Sequence, residues 1–347
     1  MKRITFIFFC TFLMAAVFAV AGTPDQNARL IQAAEQGIIA DVEGALTNGA
    51  DINAIIPKKY YDFFVRNVTA LMMASQNGHK EIVKLLLDKG ADVNLKTSNK
   101  VTALMMASES GHKEVVKLLL DKGADVNMKT SSDNLTALMM ASEKGYVDII
   151  RLLLDKGADV NVETNSTNQT ALVIASKNGY ADVIKLLLDK GAKVNTKSGS
   201  DKLTALMLSS ENGFTTVVKL LLDNGADVNA KTMFLNETAL TMASEKGHEA
   251  IVKLLLDKGA HVNVKTSNDD ATALILASKE GHTDVVRLLL DAGADVKAES
   301  AEKNIRALML ASKGGHAEIV KILLDKGADV NAANADGITA LMMAAQG

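Results

Sequence analysis

The tripeptide Thr-Ala-Leu recurs along this chain at an almost constant spacing, and this repetition constrains the fold more than any local pattern does. The tripeptide begins at Thr69, Thr102, Thr136, Thr170, Thr204, Thr238, Thr272 and Thr339, and Arg306 stands where one further threonine would fall in the series. One unit of this length cannot bury its own apolar faces, whereas a stack of units can. The period therefore predicts a solenoid in which each unit packs on its neighbours.

The residues that follow Thr102 predict two short helices in each unit. Thr102 has the side chain of a good helix N-cap, and residues 103–110 are predicted to form a first helix that stops at Gly111. Residues 114–122 are predicted to form a second helix, closed by Gly123 in the left-handed conformation. The apolar face of the second helix consists of Val115, Val116, Leu118, Leu119 and Leu120. This face is broad enough to be buried between neighbouring units.

The segment TALMMASESGHKEVVKLLLDKGADVN resembles the ankyrin repeat, whose pattern runs T-P-L-H-x-A-A-x-x-G-H-x-x-I-V-x-x-L-L-x-x-G-A-D-V-N. The resemblance covers residues 69–347, and a divergent copy occupies residues 28–53. It implies an all-α repeat solenoid in which each helix-turn-helix unit is followed by an extended loop or β-hairpin finger. The expected organisation is a divergent N-terminal capping repeat at 22–53, an aromatic-rich extended finger at 54–68, eight repeats at 69–338 and a partial final repeat at 339–347.

Several positions depart from the pattern of the family. Alanine stands where the family has proline, and the motif histidine is replaced by Met72, Met105, Met139, Met207, Met309 and Met342, which we expect to fill the core. Most loops are one residue longer than the one containing the tight-turn pair Asp336-Gly337, so we expect longer and less regular fingers. The junction at Lys297 and Arg306 loses both its loop asparagine and its capping threonine, which predicts local weakness.

Residues 1–21 predict a signal peptide. Lys2 and Arg3 precede an uncharged apolar run at residues 4–20, and Ala19-Val20-Ala21 supplies the small residues of a cleavage site. We therefore expect an exported chain that is periplasmic or extracellular after cleavage. The alternative is an uncleaved membrane anchor, because the run is barely long enough to span a bilayer. The one cysteine, Cys10, lies in this run, so the mature chain is expected to form no disulfide.

Composition and motifs disfavour several other classes of function. Removing Lys2 and Arg3 from the 38 basic residues leaves 36 against 41 acidic ones, which gives no electrostatic footprint for nucleic acid. Aromatic residues make up only 4% of the chain, which disfavours a small-molecule pocket. The sequence carries no triad-like constellation and no phosphate-binding glycine motif. We therefore expect neither an enzyme nor a bound cofactor.

A row of histidines shares one register, directly after the glycine that ends each first helix. It consists of His79, His112, His248, His282 and His316, while Tyr146, Tyr180 and Phe214 hold the same place in the middle units. Stacked helices lie roughly 8–10 Å apart, too far for neighbouring rings to share a metal easily. The interrupted row therefore favours a packing position over a metal site.

The concave face of the solenoid is the expected binding surface, because the resemblance implies contacts through the finger ends and the exposed side of the first helices. Carried over by position, the finger-end residues are Val101, Leu135, Gln169, Leu203, Glu237, Ala271 and Ile305, and the first-helix residues include Glu143, Lys144, Glu245 and Lys246. A merely solvated, charged face is the alternative interpretation for the helix residues.

Two fingers have a sharper composition. Met233, Phe234 and Leu235 are apolar where the counterpart finger carries Ser131-Ser132-Asp133, and an exposed apolar tip favours a contact. The long finger at 54–68 contains Tyr60, Tyr61, Phe63 and Phe64 beside basic residues, a composition typical of interface hot spots. These aromatics have the alternative role of covering the divergent first repeat.

The sequence as a whole predicts a non-enzymatic scaffold that binds a protein partner, similar to the exported ankyrin-repeat proteins of bacteria. One alternative is a solenoid that self-associates through the apolar face at residues 341–343. A secreted effector that binds a host protein is also compatible with the signal.

Overall fold

The computed structural model describes residues 26–56, 67–301 and 304–345, which form a stack of paired helices. The first helices of the pairs are α1 (Gln26–Gln36), α3 (Ala70–Gln76), α5 (Ala103–Ser110), α7 (Ala137–Lys144), α9 (Ala171–Asn178), α11 (Ala205–Glu211), α13 (Ala239–Glu245), α15 (Ala273–Glu280), α17 (Ala307–Lys313) and, without a described second helix, α19 (Ala340–Ala344). The second helices are α2 (Ile39–Thr47), α4 (Lys80–Asp88), α6 (Lys113–Asp121), α8 (Val147–Asp155), α10 (Ala181–Asp189), α12 (Thr215–Asp223), α14 (Glu249–Asp257), α16 (Thr283–Asp291) and α18 (Ala317–Asp325). The expected all-α solenoid is confirmed.

The unit at Thr102 shows how the local sequence sets the ends of each helix. The Thr102 hydroxyl accepts a hydrogen bond from the Met105 N–H at 3.3 Å, which satisfies one of the free donors of the first turn. Gly111 ends α5 with φ +84°, as predicted. Helix α6 spans Lys113–Asp121, one residue earlier at each end than predicted, and Gly123 follows with φ +85°.

The core runs continuously along the stack, because each first helix packs on the first helices of its neighbours and on its own second helix. Met72, Met105, Met139, Met207 and Met309 are buried, which confirms their expected place in the core. Met342 in α19 is 53% exposed, and the neighbouring Leu341 is 79% exposed. Their counterparts Leu308 and Met309 in α17 are buried. The expectation of core packing is therefore wrong for Met342, because no described residue packs over this side of α19.

Asparagines at the end of each repeat bridge the stack from unit to unit. The side-chain oxygen of Asn127 accepts from the Asp159 N–H at 2.8 Å, and its amide nitrogen donates to the Gly157 carbonyl at 3.0 Å. The same pair of bonds recurs at Asn94, Asn161, Asn195, Asn229 and Asn263. These bridges tie each turn to the next without adding apolar area.

The junction after α16 departs from this rule, as the sequence predicted. Lys297 stands in the place of the bridging asparagine, and Arg306 leaves α17 without a side-chain cap. The Arg306 guanidinium instead donates to the Glu299 carboxylate and, at 3.3 Å, to the Ala333 carbonyl of the next finger. An ion pair within one finger and a hydrogen bond to the next finger thus stand in place of the helix cap.

Restoring the repeat at this junction is expected to stabilise the last units. The double substitution Lys297→Asn and Arg306→Thr adds a cap and two bridging hydrogen bonds, together worth about 2 kcal/mol. It removes the partly exposed ion pair with Glu299, which is worth less, about 1 kcal/mol at most. Hydrogen exchange measured by mass spectrometry should show slower exchange in α18, with Lys129→Asn, a change in another loop, as the control. Unchanged or faster exchange in α18 would contradict the assignment of this junction as a weak point.

The described residues contain no helix long and apolar enough to cross a membrane. The predicted signal peptide at 1–21 lies outside the described residues, as does most of the aromatic finger.

Candidate partner-binding surface

Five of the described fingers share one backbone geometry, built on a buried threonine or serine. The Thr130 hydroxyl accepts from the Leu135 N–H at 2.9 Å, while the Thr130 N–H donates to the Leu135 carbonyl at 3.0 Å. Asn134 closes the loop at φ +57°. The same arrangement recurs at Thr164, Thr232, Thr266 and Ser300. The expectation of irregular fingers is therefore wrong, because a side chain supplies the closure that a tight turn supplies at Gly337.

Each finger is also hydrogen-bonded to the finger before it. The Ser131 N–H donates to the Asn99 carbonyl at 2.9 Å, and the Ala301 N–H donates to the Asp269 carbonyl at 2.6 Å. Single β-bridge pairs close some fingers, and the described residues form no strand. The fingers consequently form a row of loops whose backbones are held at both the base and the side.

The apolar finger keeps this fixed backbone while its side chains face solvent. Met233 is 64% exposed, Phe234 is 60% exposed and Leu235 is 37% exposed. The Met233 and Phe234 N–H groups donate to the backbone oxygen and the carboxylate of Asp201, at 2.9 and 2.8 Å. On its other side, the Leu235 carbonyl accepts from the Ser267 N–H at 2.8 Å. The finger therefore presents apolar side chains from a rigid support instead of folding them onto its neighbours.

Glu237, at the end of the same finger, lies in an unfavourable environment for a carboxylate. Burial raises the pKa of Glu237, and the charges of Glu245, Asp201 and Glu211 raise it further, while Lys246 opposes them. Acids on the second helices are treated differently, since the Lys122 ammonium lies 2.8 Å from the Asp88 carboxylate and equivalent pairs recur along the stack. Several acids on the second helices thus lie beside a lysine, whereas the charges that act on Glu237 are mainly those of other acids.

Comparison with known proteins identifies the frame that carries these fingers. The family model for ankyrin repeats matches residues 30–130, 127–198, 206–300 and 299–347. The chain belongs to the ankyrin-repeat family. Ankyrin repeats are, in general, non-enzymatic modules for interaction between proteins.

One curated relative and one solved structure show how much of the chain is similar to known proteins. The ankyrin repeat and KH domain-containing protein mask-1 of Caenorhabditis elegans is 43% identical over 75 residues, which are 21% of this chain and 2% of that protein. The crystal structure of the human ASB11 ankyrin repeat domain aligns with 66% of this chain and 99% of that domain, at 28% identity and a TM-score of 0.58. The chain thus spans only a small fraction of the curated relative, and the likeness concerns the repeats.

The structure places the predicted finger-end residues of the ankyrin stack at different depths. Val101, Leu135, Leu203 and Ile305 are half-buried and pack against the core, and Gln169 and Glu237 are also half-buried. Ala271 is only 1% exposed, because its methyl group is too short to reach the surface that the longer side chains of this register reach. The prediction that Ala271 contacts a partner is therefore wrong.

The other predicted residues fall into two groups. Glu143, Lys144 and Lys246 are exposed on their ankyrin first helices, and Glu245 is half-buried with its carboxylate 3.7 Å from the Lys246 ammonium. Tyr60, Tyr61, Phe63 and Phe64 lie outside the described residues. The contact role of all these residues stays a prediction.

The histidine row has a structural role in the ankyrin stack. The Nε2 atom of His112 lies 3.0 Å from the Gln76 carbonyl oxygen, and the ring covers Gly78 of the preceding repeat. His79, His248, His282 and His316 make the equivalent contact, while Tyr146, Tyr180 and Phe214 cover the corresponding glycines. The described part of the chain holds no group of three or more His, Cys, Asp or Glu side chains that could bind a metal. These rings clamp one ankyrin repeat onto the next.

Removing the charge of Glu237 is expected to stabilise the ankyrin fold at neutral pH. A carboxyl whose pKa is raised in the folded state binds more protons folded than unfolded, so stability falls as pH rises through that pKa. Glu237→Gln should therefore raise the melting temperature at pH 7 and reduce the gain in stability that the wild type shows on acidification. Thermal melts at several pH values, with Glu249→Gln on α14 as the matched control, measure this effect. A lower melting temperature for Glu237→Gln at pH 7 would contradict the assigned environment.

Proposed function

We propose that this chain is a non-enzymatic scaffold that binds another protein through its finger loops and concave face. The observation that carries the proposal is the contrast between a uniform frame and one divergent finger. Bridging asparagines, base threonines and stacked rings repeat along the chain. Among the fingers that the structure describes in full, no other carries counterparts of the same chemistry as Met233, Phe234 and Glu237. Exposed apolar side chains beside an unfavourably placed carboxylate do not stabilise the fold, and such departures are typical of a binding site.

We also propose that the scaffold acts outside the cytoplasm, as a periplasmic or extracellular protein. The charged start, apolar run and Ala19-Val20-Ala21 site support this, and they are the basis of the similarity to exported bacterial ankyrin-repeat proteins. N-terminal sequencing of the protein recovered from cells tests the proposal. A chain that begins at Gly22 supports it, whereas a chain that retains its first residues and stays in the membrane fraction contradicts it.

In-cell photo-crosslinking tests the binding function. A photoreactive residue is placed at Phe234 or at Tyr61, with Lys117 on the exposed side of α6 as the control. We expect one defined protein to be captured at a finger position and not at Lys117, and mass spectrometry identifies it. Equal background at all three positions would contradict the proposal. Crosslinks only between copies of the chain, with a mass that rises with concentration in light scattering, would favour self-association instead.

A further inference from the structure

Two departures from the repeat coincide in one place. The finger that carries Met233 and Phe234 ends at Glu237, where the other described fingers end in a neutral residue. Acids from the preceding finger, the preceding first helix and the following first helix add negative charge around it. We call the apolar tip and these acids together the acidic finger surface, which consists of Asp201, Glu211, Met233, Phe234, Leu235, Glu237 and Glu245.

The support of this surface is fixed before any partner arrives. Asp201 holds the N-terminal half of the finger through two hydrogen bonds, and the Asn236 side chain donates to the Lys265 carbonyl at 2.7 Å on the other side. A loop held on both sides loses little conformational entropy on binding, which favours affinity. The exposed ring of Phe234 on such a support has the character of an interface anchor.

Charge decides which partner complements this surface. An apolar side chain of a partner would cover Phe234. A cation placed at the finger base would offset the desolvation of the carboxylates and reduce their mutual repulsion. Lys246 acts on Glu237 with the opposite sign, but its ammonium also lies 3.7 Å from Glu245. Lys202 and Lys231 are exposed on the same fingers, but they are not among the charges that act most strongly on Glu237. The acids therefore favour a partner cation at the base of the finger.

We propose that the acidic finger surface binds a protein segment in which a Lys or Arg residue lies next to a large apolar residue. The apolar side chain would pack on Phe234 and Met233, and the cation would bind the carboxylates of Glu237, Glu211 and Asp201. This inference rests on the proposed binding function and names the chemistry of the partner. Ionised carboxylates are required, so added salt should weaken the complex.

Selection of peptides on the full chain tests this inference. The probe is a phage library of random dodecapeptides, and the enriched sequences are then synthesised and titrated against the protein. We expect enrichment of sequences that place Arg or Lys within two positions of Phe, Leu, Ile or Met. Their affinity should fall about tenfold or more for Glu237→Gln and for the triple variant M233N/F234S/L235T. The triple variant carries the residues of the finger at 165–167, which has the same backbone, so it is expected to fold.

Matched variants separate this inference from the broader function. Glu249→Gln, in the second helix of the same repeat, and N165S/T167D, in the polar finger two repeats before, should leave the affinity unchanged. Enrichment of neutral or acidic peptides, no enrichment at all, or binding that Glu237→Gln and the triple variant leave intact would overturn the inference. Peptides that bind elsewhere on the stack would also overturn it while leaving the scaffold function standing, and the crosslinking experiment decides that function independently.

Discussion

Replacing a column of buried serines with alanine is expected to raise the free energy of unfolding by about 6 kcal/mol in total. The serines are Ser75, Ser108, Ser176, Ser210, Ser244 and Ser278, which share one register in the first helices and are fully buried. Their hydroxyl oxygens accept from and donate to no group of the described residues. An unsatisfied buried hydroxyl costs about 1–3 kcal/mol, and alanine has the higher helix propensity. The six-fold variant should therefore unfold at markedly higher denaturant concentration.

Ser142 in α7 provides the matched control for the serine column. It has the same register, but its hydroxyl donates to the Leu138 carbonyl at 2.7 Å. Ser142→Ala alone should change the unfolding midpoint little, because the lost bond offsets the better helix propensity. Unchanged or reduced stability in the six-fold variant would mean that the column is hydrogen-bonded in solution. Stability in a repeat stack is a sum over interfaces, so the midpoint is best followed in several helices by hydrogen exchange.

Gly78→Ala is expected to destabilise the stack by about 3 kcal/mol, for two reasons that can be separated. Gly78 has φ +75°, where an L-residue is strained. A methyl group there would also lie 2.5 Å from the Nδ1 atom of His112. The ring would have to move and would lose its 3.0 Å contact with the Gln76 carbonyl. Denaturant unfolding of the purified variant measures the cost.

Gly90→Ala isolates the backbone strain from the clash. Gly90 has φ +92°, and apart from its chain neighbours no atom of the described residues lies within 4 Å of an added methyl group. Its substitution should cost only about 1–2 kcal/mol. In a His112→Ala background, the cost of Gly78→Ala should fall to the same level, since the clash is gone. Equal costs for the two glycine variants in the wild-type background would show that the rings do not clamp the repeats.

The local rules of the repeat were readable from the sequence because each acts within one unit. The structure confirms the Thr102 cap and the glycine that ends each first helix, and both depend only on neighbours in the chain. The loss of the asparagine at Lys297 could be read in the same way. The second helix begins one residue early, at Lys113, because hydrogen bonding and not apolar pattern sets its first turn.

Properties that depend on depth and on contacts between units were harder to predict. Ala271 shares a register with Leu135, yet side-chain length decides which of them reaches the surface. The base threonines were missed, although a Thr or Ser that follows Lys or Glu at the repeat period, as at Lys129-Thr130 and Glu163-Thr164, marks them. The charge around Glu237 was missed as well, although Glu211 and Glu245 hold the same register in successive repeats.

The carboxylate of Glu237 is expected to affect both the stability of the fold and the binding of a partner. It is expected to weaken the fold at neutral pH and to strengthen the proposed complex, which is a common trade-off at binding sites. Such a residue is distinguished from a chance substitution only when both effects are measured on the same variant.

The most direct test of the central claim is the yield of the in-cell photo-crosslink from position 234, compared between the otherwise wild-type chain, Glu237→Gln and Glu249→Gln. We predict one defined protein product, whose yield falls about tenfold with Glu237→Gln and stays unchanged with Glu249→Gln, at equal levels of folded protein. The same product at the same yield in all three chains would contradict the claim that the divergent finger and its carboxylates form the binding site.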